Sequence, residues 1–201
     1  MTKKNKGMFF PWYDETGGAF NKPLQAPRYY PQCNHWREPV RVGRYVITCS
    51  SHPSATKVAT PPYPDFGMYF ASCWKTDLGG GGWTNGVTIK RLADQRYYPA
   101  LVWDWPDGST IPVAQMNNLV EICLSKMRHG KRVDIGCIAG HGRTGTFLAC
   151  LIARVEHLTG KQALETVRGR YCRWAVETHS QEKLIEEYVE AYGIYKGKRR
   201  R

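Results

Sequence analysis

The stretch that most constrains the fold is residues 133–146, which read Val-Asp-Ile-Gly-Cys-Ile-Ala-Gly-His-Gly-Arg-Thr-Gly-Thr. A short β-type run leads into a glycine-rich turn, and an apolar helix is predicted from Thr146 onward. A strand, a glycine-rich loop and a helix N-terminus in this order gather backbone N–H groups around one point, toward which the helix dipole is directed. The stretch is therefore predicted to bind an anion, and a phosphoryl group suits it.

Two side chains in this stretch, Cys137 and Arg143, are separated by five residues. A helix N-terminus and a nearby arginine both favour the thiolate form of a cysteine. The planar guanidinium of Arg143 can bind two phosphoryl oxygens at once. One loop thus offers a nucleophile, a phosphate-binding site and a clamp for the transition state. The alternative is a P-loop-like turn with a buried structural cysteine, which the Cys-x5-Arg spacing among glycines disfavours.

The pattern resembles the cysteine-dependent protein tyrosine phosphatase superfamily, whose signature is His-Cys-x5-Arg-Ser/Thr. One departure is Gly136, which stands where the signature has a histidine that helps to set the loop and activate the cysteine. The resemblance implies a phosphocysteine intermediate and a reaction that needs neither a cofactor nor a metal. It also implies substrate contacts from the loop residues, which are Ile138, Ala139, Gly140, His141, Gly142 and Arg143.

A general acid is expected upstream of the loop, because thiolate attack on a phosphate monoester expels a poor leaving group. Trp105-Pro-Asp-Gly-Ser-Thr-Ile-Pro112 resembles the Trp-Pro-Asp loop of tyrosine-specific members, in which the aspartate donates the proton. Asp107 is the matching residue, and it is predicted to act as the base in the second step. The competing interpretations are an ordinary Pro-Asp-Gly turn and a role for Asp104 instead.

Two further polar residues are candidates for the site. The Thr144 hydroxyl is predicted to donate to the Cys137 sulfur or to cap the following helix. Gln181 resembles the glutamine that orients the attacking water in tyrosine-specific members, but Thr178-x-x-Gln181 is also a capping box for the last helix. Both interpretations of Gln181 stand. His141 is expected to offer its backbone N–H to phosphate, with its side chain at the rim.

The net charge of +12 lies mostly at the ends of the chain. Residues 1–10 carry three lysines, residues 194–201 carry five basic residues and neither segment has an acid, which leaves +4 for the remainder. Basic tails attract polyanions such as RNA without sequence specificity. The predicted organisation is a Pro- and aromatic-rich extension over 1–40 that wraps the domain or is partly disordered, a phosphatase domain over 41–193 and a basic tail over 194–201.

Seven cysteines are scattered widely along the chain, and no apolar run is long enough to span a bilayer. The odd count, the absence of a signal peptide and the need for a free thiolate predict an intracellular, cytoplasmic protein. The basic tail permits nuclear import if the source is eukaryotic. A zinc site from Cys33, His35, Cys49 and His52 is disfavoured by its spacing. Cys172 is a candidate redox partner of Cys137, although a structural cysteine is the simpler interpretation.

The order of elements predicts an α/β domain with a central mixed sheet flanked by helices. Strand patterns come first, and a helix, the short strand 133–135 and three further helices follow them. The predicted elements are strands over 44–49, 68–74, 87–92 and 98–103 and helices from 113 to 130, from 146, from Thr159 to 171 and through 184–192. This order matches the dual-specificity branch of the phosphatase superfamily over about residues 40 to 193.

The resemblance therefore predicts a metal-independent phosphatase whose substrate is a phosphorylated protein, with phosphotyrosine or phosphoserine/threonine as the reacting group. A phosphatase of RNA 5′ ends or of phosphoinositides is the second enzyme hypothesis, since the superfamily includes both and the chain is basic. A pseudophosphatase that only binds phosphorylated partners is a hypothesis of a different class, and Gly136 is its one argument. A nucleic-acid-binding module, which rests on the basic tails alone, is the third option.

Overall fold

The computed structural model describes residues 38–52, 63–76, 87–90 and 97–193. Within these residues one mixed sheet is formed by β1 (Val40–Val42), β2 (Tyr45–Ser51), β3 (Phe66–Tyr69), β4 (Val87–Lys90), β5 (Tyr97–Val102) and β6 (Val133–Cys137). The strand order is β1-β2-β6-β3-β5-β4. The four inner strands run parallel, and the two edge strands are antiparallel to their neighbours. The predicted α/β class with a mixed sheet is confirmed.

The helices are α1 (Cys73–Thr76), α2 (Val113–Arg128), α3 (Gly142–Glu156), α4 (Gly160–Arg170) and α5 (His179–Tyr192). The predicted capping box of α4 is confirmed, because Thr159 Oγ1 accepts from Gln162 N–H while Gln162 Oε1 accepts from Thr159 N–H. Every residue of α3 from Gly142 to Ala153 is buried. This agrees with the apolar pattern on all sides of the helix, and α3 packs against α4, α5 and β6 at the centre of the fold.

Two predicted boundaries are wrong. The strand predicted over 68–74 ends at Tyr69, because the chain turns where Ser72 N–H donates to Asp104 and α1 begins. The helix predicted from Thr146 begins one turn earlier, at Gly142. The sequence pattern also does not predict β1, whose three residues are too few for a periodicity. Residues 1–37 of the predicted N-terminal extension and the predicted basic tail over 194–201 lie outside the described residues.

The central strand β6 separates two different environments. Val133, Ile135 and Cys137 belong to the main apolar core, which also contains the buried side chains of α2 to α5. Side chains alternate between the two faces of a strand, so Asp134 and Gly136 lie on the other face. On that face a smaller cluster contains Tyr69, Ala71, Trp74, Tyr98 and Ala100.

Candidate active site

The predicted anion-binding stretch lies at the carboxyl end of the central strand β6, which runs directly through a four-residue loop into α3. Binding sites of open α/β sheets occur at this edge, where strands end and helices begin. The early start of α3 at Gly142 places Arg143 and Thr144 in its first turn. The guanidinium therefore projects from the helix N-terminus itself, where the dipole is positive.

Cys137 is the last residue of β6, and its side chain is almost fully enclosed, with 2% of the residue exposed. Its sulfur accepts a hydrogen bond from the Gly140 N–H at 3.2 Å. Gly140 has a φ of +76°, a conformation that glycine adopts without strain and that folds the loop back over the sulfur. A backbone N–H directed at the sulfur stabilises a negative charge there.

The carbonyl groups of the loop are held from outside. The carbonyls of Gly136 and Ile138 accept from Phe70 N–H at 2.8 Å and from His52 N–H at 3.0 Å. The Gly140 carbonyl accepts from the Tyr171 hydroxyl. Since the C=O and N–H of a trans peptide point in opposite directions, each tether turns the next N–H to the other side of the loop.

Further tethers hold the two ends of the loop. The His141 carbonyl accepts from Gly145 N–H at 2.8 Å and from Val176 N–H at 3.4 Å. The Cys137 carbonyl accepts from the Trp74 indole N–H at 3.2 Å. Tethers of this kind fix the peptide planes before any ligand binds, which is the arrangement that an oxyanion site requires.

Arg143 is buried and anchored on one side only. Its Nη1 atom donates to the carbonyls of Phe70 and Trp105, at 3.0 and 2.8 Å. Its Nε atom has no hydrogen-bond partner within the described part of the chain. A buried cation with a free donor is costly unless an anion completes its shell, so this guanidinium is suited to bind one.

Asp107 lies beside this guanidinium. Its Oδ1 atom is 2.9 Å from Nη2 of Arg143, and 36% of its side chain is exposed. The competing residue, Asp104, is directed elsewhere, because its Oδ1 atom accepts from the Ser72 N–H at 3.2 Å. The structure thus brings Asp107 to the arginine of the loop and ties Asp104 to the turn that precedes α1.

The loop that carries Asp107 is fixed at both sides. Trp105 is fully buried, and its indole N–H donates to the Ser109 carbonyl at 3.0 Å. Gly108 has a φ of +67°, and its carbonyl accepts from the Thr178 hydroxyl at 3.1 Å. The residue that caps α5 therefore also holds the Asp107 loop, which connects the last helix to the site.

Gln181 is fully buried, and its hydrogen bonds fit the predicted capping box only in part. Its backbone N–H donates to Thr178 Oγ1, as a cap requires, but its Oε1 atom accepts from the Glu177 N–H at 2.9 Å and not from that of Thr178. The reciprocal half of the capping box is therefore absent. A Cβ atom placed on Gly142 would lie 3.0 Å from Gln181 Nε2, so this amide adjoins the loop. Nε2 has no hydrogen-bond partner among residues 38–52, 63–76, 87–90 and 97–193.

Two predictions about side chains do not hold in the structure. The Thr144 hydroxyl has no hydrogen-bond partner in the described residues, so it neither donates to Cys137 nor caps α3. His141 is buried and does not form a rim, and burial lowers the pKa of its imidazole to about 4. By contrast Ile138 is 40% exposed, which makes it the loop side chain that faces solvent. The neighbouring loop residue, Ala139, is half-buried.

The sequence patterns do not identify Trp74, Tyr171 or Val176 as site residues. All three contact the loop from distant segments, so no local spacing signals them. Val176 has a φ of +64°, which is a strained conformation for a β-branched residue. Arg168 holds the strained segment by donating to the carbonyls of Ala175 and Val176.

The described residues contain no group of three or more His, Cys, Asp or Glu side chains positioned to hold a metal ion. Cys33 and His35 of the disfavoured zinc hypothesis lie outside the described residues. Cys172 is buried, and the six cysteines of the described residues form no disulfide with one another. No helix among the described residues has both the length and the apolar composition that a bilayer crossing requires.

Comparison with known proteins agrees with this geometry. Residues 106–185 match the family described as "Swiss Army Knife protein, DSP-PTPase phosphatase domain". An uncharacterized protein of Methanocaldococcus jannaschii is 42% identical over 92 residues, which are 45% of this chain and 55% of that protein. Protein tyrosine phosphatase domain-containing protein 1 of Danio rerio is 25% identical over 120 residues, 60% of this chain and 16% of that protein. The chain thus spans about half the length of the archaeal relative and much less of the fish protein.

Solved structures share the fold. The crystal structure of Tk-PTP in the active form superposes with a TM-score of 0.57 at 22% identity, over 77% of this chain and 98% of that one. The fold is therefore shared with Tk-PTP. The match of residues 106–185 to a DSP-PTPase phosphatase domain agrees with the resemblance that the sequence carries.

Proposed function

We propose that the protein is a metal-independent phosphatase that hydrolyses phosphate monoesters through a phosphocysteine intermediate. The observation that carries the proposal is the convergence of three groups at the end of β6. These are the enclosed Cys137 sulfur, which accepts an N–H, the Arg143 guanidinium with an unused donor, and the Asp107 carboxyl group at 2.9 Å from that guanidinium.

In the first step the Cys137 thiolate attacks phosphorus opposite the ester oxygen, and an S–P bond forms as the P–O bond breaks. The N–H groups of the loop and the Arg143 guanidinium hold the three equatorial oxygens, whose charge they stabilise in the transition state. Asp107 transfers its proton to the departing oxygen. A phosphocysteine and a free alcohol or phenol result.

In the second step water attacks the phosphocysteine, and the Asp107 carboxylate accepts a proton from that water. The S–P bond breaks, which returns the thiolate and releases inorganic phosphate. Gln181 is suited to orient this water, because its Oε1 atom is occupied by Glu177 N–H and its Nε2 donor remains beside the loop. No metal and no cofactor enters either step.

A phosphorylated protein is the proposed substrate, with phosphotyrosine or phosphoserine/threonine as the reacting residue. Dephosphorylation of an RNA 5′ end or a phosphoinositide uses the same chemistry, and the net charge of +12 suits all of these anions. Parallel assays with a phosphotyrosine peptide, a phosphothreonine peptide, a 5′-triphosphate RNA and a phosphoinositide separate the substrate classes. The highest kcat/KM identifies the class.

The reaction itself is tested with an aryl phosphate and the variant Cys137→Ser. We expect turnover by the wild type and none by the variant, because a serine hydroxyl at this position is a far poorer nucleophile than a thiolate. Rapid quenching of the wild type with labelled substrate should trap phosphate on Cys137. Activity retained by Cys137→Ser, or label on another residue, would show that the nucleophile is assigned wrongly. A wild type that binds oxyanions without turnover would favour the pseudophosphatase hypothesis.

A further inference from the structure

The backbone carbonyl of Cys137 itself accepts from a side chain and not from a backbone N–H of the sheet. At the end of β6 the Gly136 and Ile138 carbonyls accept from the backbone N–H groups of Phe70 and His52, whereas the carbonyl between them, that of Cys137, accepts from the Trp74 indole at 3.2 Å. This carbonyl belongs to the peptide unit whose N–H is that of Ile138. Its orientation therefore decides where the first N–H after the nucleophile points.

The indole itself is held firmly. Trp74 is fully buried, and its ring stacks on that of Tyr69 with centroids 3.7 Å apart and planes 8° from parallel. The Tyr69 hydroxyl donates to Asp134 Oδ2 at 2.8 Å and lies 2.7 Å from the Tyr98 hydroxyl. The ring thus has little freedom to turn its N–H away from the loop.

Gly136 is what makes room for this indole. A Cβ atom at position 136 would lie 2.8 Å from the Ser50 carbonyl oxygen, 3.0 Å from Trp74 Cζ2 and 3.2 Å from Tyr69 Cδ1. The first contact is with backbone, which cannot rotate away. The φ of Gly136 is not in the left-handed region, so the position needs glycine for its lack of a side chain and not for its conformation.

We propose that Trp74 is a positioning residue for the reaction: its indole N–H holds the Cys137 carbonyl outward and thereby turns the Ile138 N–H toward the bound oxyanion. Gly136 replaces the signature histidine because the indole occupies the adjacent space. The proposal rests on the proposed phosphatase function. In this protein Trp74, which lies 63 residues upstream of the nucleophile, takes over the loop-setting role of the signature histidine.

The test removes the indole N–H and keeps the ring. 3-Benzothienylalanine at position 74 replaces the N–H by sulfur within a bicyclic ring of nearly the same shape, and Trp74→Phe is the simpler companion variant. Tyr188→Phe is the matched control, because it removes a buried hydroxyl from α5 that has no hydrogen-bond partner among the described residues. Tungstate is the probe, since it reports oxyanion binding by calorimetry without turnover.

We expect the benzothienyl variant to bind tungstate about tenfold more weakly and to lose about tenfold in kcat on an aryl phosphate, with a smaller change in KM. Tyr188→Phe should stay within about twofold of the wild type in all three quantities. In NMR spectra, the shift of the Ile138 amide on tungstate addition should shrink in the benzothienyl variant, while that of His141 persists because Tyr171 holds its peptide independently.

A benzothienyl variant with wild-type tungstate affinity and kcat would overturn the proposal, as would an unchanged Ile138 response. A wild type that fails to bind tungstate would overturn it together with the proposed function. A wild type that binds tungstate without hydrolysing the ester would overturn the proposed function alone, since the affinity and NMR comparisons still decide the role of Trp74.

Discussion

The two faces of β6 show how one strand serves two purposes. On the helical face Val133 and Ile135 pack in an apolar core, and Cys137 ends the row. On the opposite face the Asp134 carboxylate accepts from the hydroxyls of Thr48, Ser50 and Tyr69. In the proposed function the first face delivers the nucleophile, and the second positions the backbone that carries it. Substitutions on the two faces should therefore fail in different ways.

The largest effect is expected on the chemical side, from Asp107→Asn. Loss of the proposed general acid should lower kcat by about 10²–10⁴-fold for an ester with a poor leaving group. The loss should be smaller for an ester with a good leaving group, which needs no proton. Steady-state kinetics with a series of aryl phosphates measures this dependence.

Asp104→Asn provides the control for that experiment, because Asp104 belongs to the same segment but bonds to Ser72. We expect kcat within about threefold of the wild type, since surface changes away from the reacting atoms have small effects. Equal losses in both aspartate variants would mean that the loop and not its acid determines the rate.

The next largest effect is expected on the other face, from Gly136→His. Restoring the residue of the signature should lower activity, because its Cβ atom meets the Ser50 carbonyl and displaces Trp74. Gly136→Ala, which adds only that Cβ, should lower the free energy of unfolding by about 1–3 kcal/mol. Chemical denaturation and an aryl phosphate assay measure both effects.

Gly169→Ala is the matched glycine variant, since nothing lies within 4 Å of a Cβ atom at this position in α4. It should raise the free energy of unfolding by about 0.5–1 kcal/mol, because alanine is the better helix former. A Gly136→His enzyme that outperforms the wild type would contradict the space argument directly.

A smaller effect on kcat should distinguish two glutamines that have the same spacing from a threonine. Gln162 and Gln181 both lie three residues after a threonine N-cap, but only Gln162 closes a capping box. Gln181→Ala should lower kcat about tenfold through the water-dependent step. Gln162→Ala should leave kcat unchanged and lower the free energy of unfolding by about 0.3–1.5 kcal/mol.

Pre-steady-state kinetics sharpens this pair. If Gln181 acts in the second step, Gln181→Ala should accumulate phosphocysteine, which appears as a burst of released phenol. A variant that loses activity without a burst, and that also unfolds more easily, would identify Gln181 as a structural residue of α5 only.

The smallest effect on catalysis is expected from Asp134→Asn. This variant should instead change how the free energy of unfolding depends on pH. Burial raises the pKa of Asp134 from 3.8 to about 6, and hydrogen bonds from three hydroxyls oppose this shift in part. Between about pH 4 and 6 the unfolded carboxyl has lost its proton while the folded one retains it. Through this group, stability therefore falls as pH rises, by at most about 1.4 kcal/mol per pH unit.

His141 acts in the opposite direction. Burial lowers its pKa from 6.5 to about 4, so between these values the unfolded imidazole holds a proton that the folded one lacks. Through this group stability rises with pH, and the two slopes oppose each other between about pH 4 and 6. Asp134→Asn should leave only the His141 slope, so the variant loses stability more steeply on acidification. Denaturation between pH 4 and 7 measures this, and identical slopes for variant and wild type would contradict the assignment.

The sequence predicts the parts of the site that are encoded locally. The spacing of Cys137 and Arg143 between a strand and a helix predicts the loop, and the Thr159 capping box predicts the start of α4 correctly. Residues joined only by the fold are different. Trp74 and Tyr171 contact the loop across 63 and 31 residues, and nothing near either in sequence marks that contact.

The sequence pattern also does not predict strand and helix boundaries that depend on long-range contacts. The run 68–74 has strand-like composition throughout, but the turn after Tyr69 depends on a hydrogen bond from Ser72 to Asp104 in a distant loop. Likewise the Thr178 pattern fits a capping box, and only the folded chain shows that the Gln181 amide reaches past it to Glu177.

The tethers of the loop have a consequence for biosynthesis. The donors that fix its carbonyls precede it at His52, Phe70 and Trp74 and follow it at Gly145, Tyr171 and Val176. A nascent chain that has emerged from the ribosome only as far as α4 contains Cys137 and Arg143 but lacks the last two of these donors. We expect such a chain to bind oxyanions poorly, so that reactivity arises only after Tyr171 and Val176 have emerged.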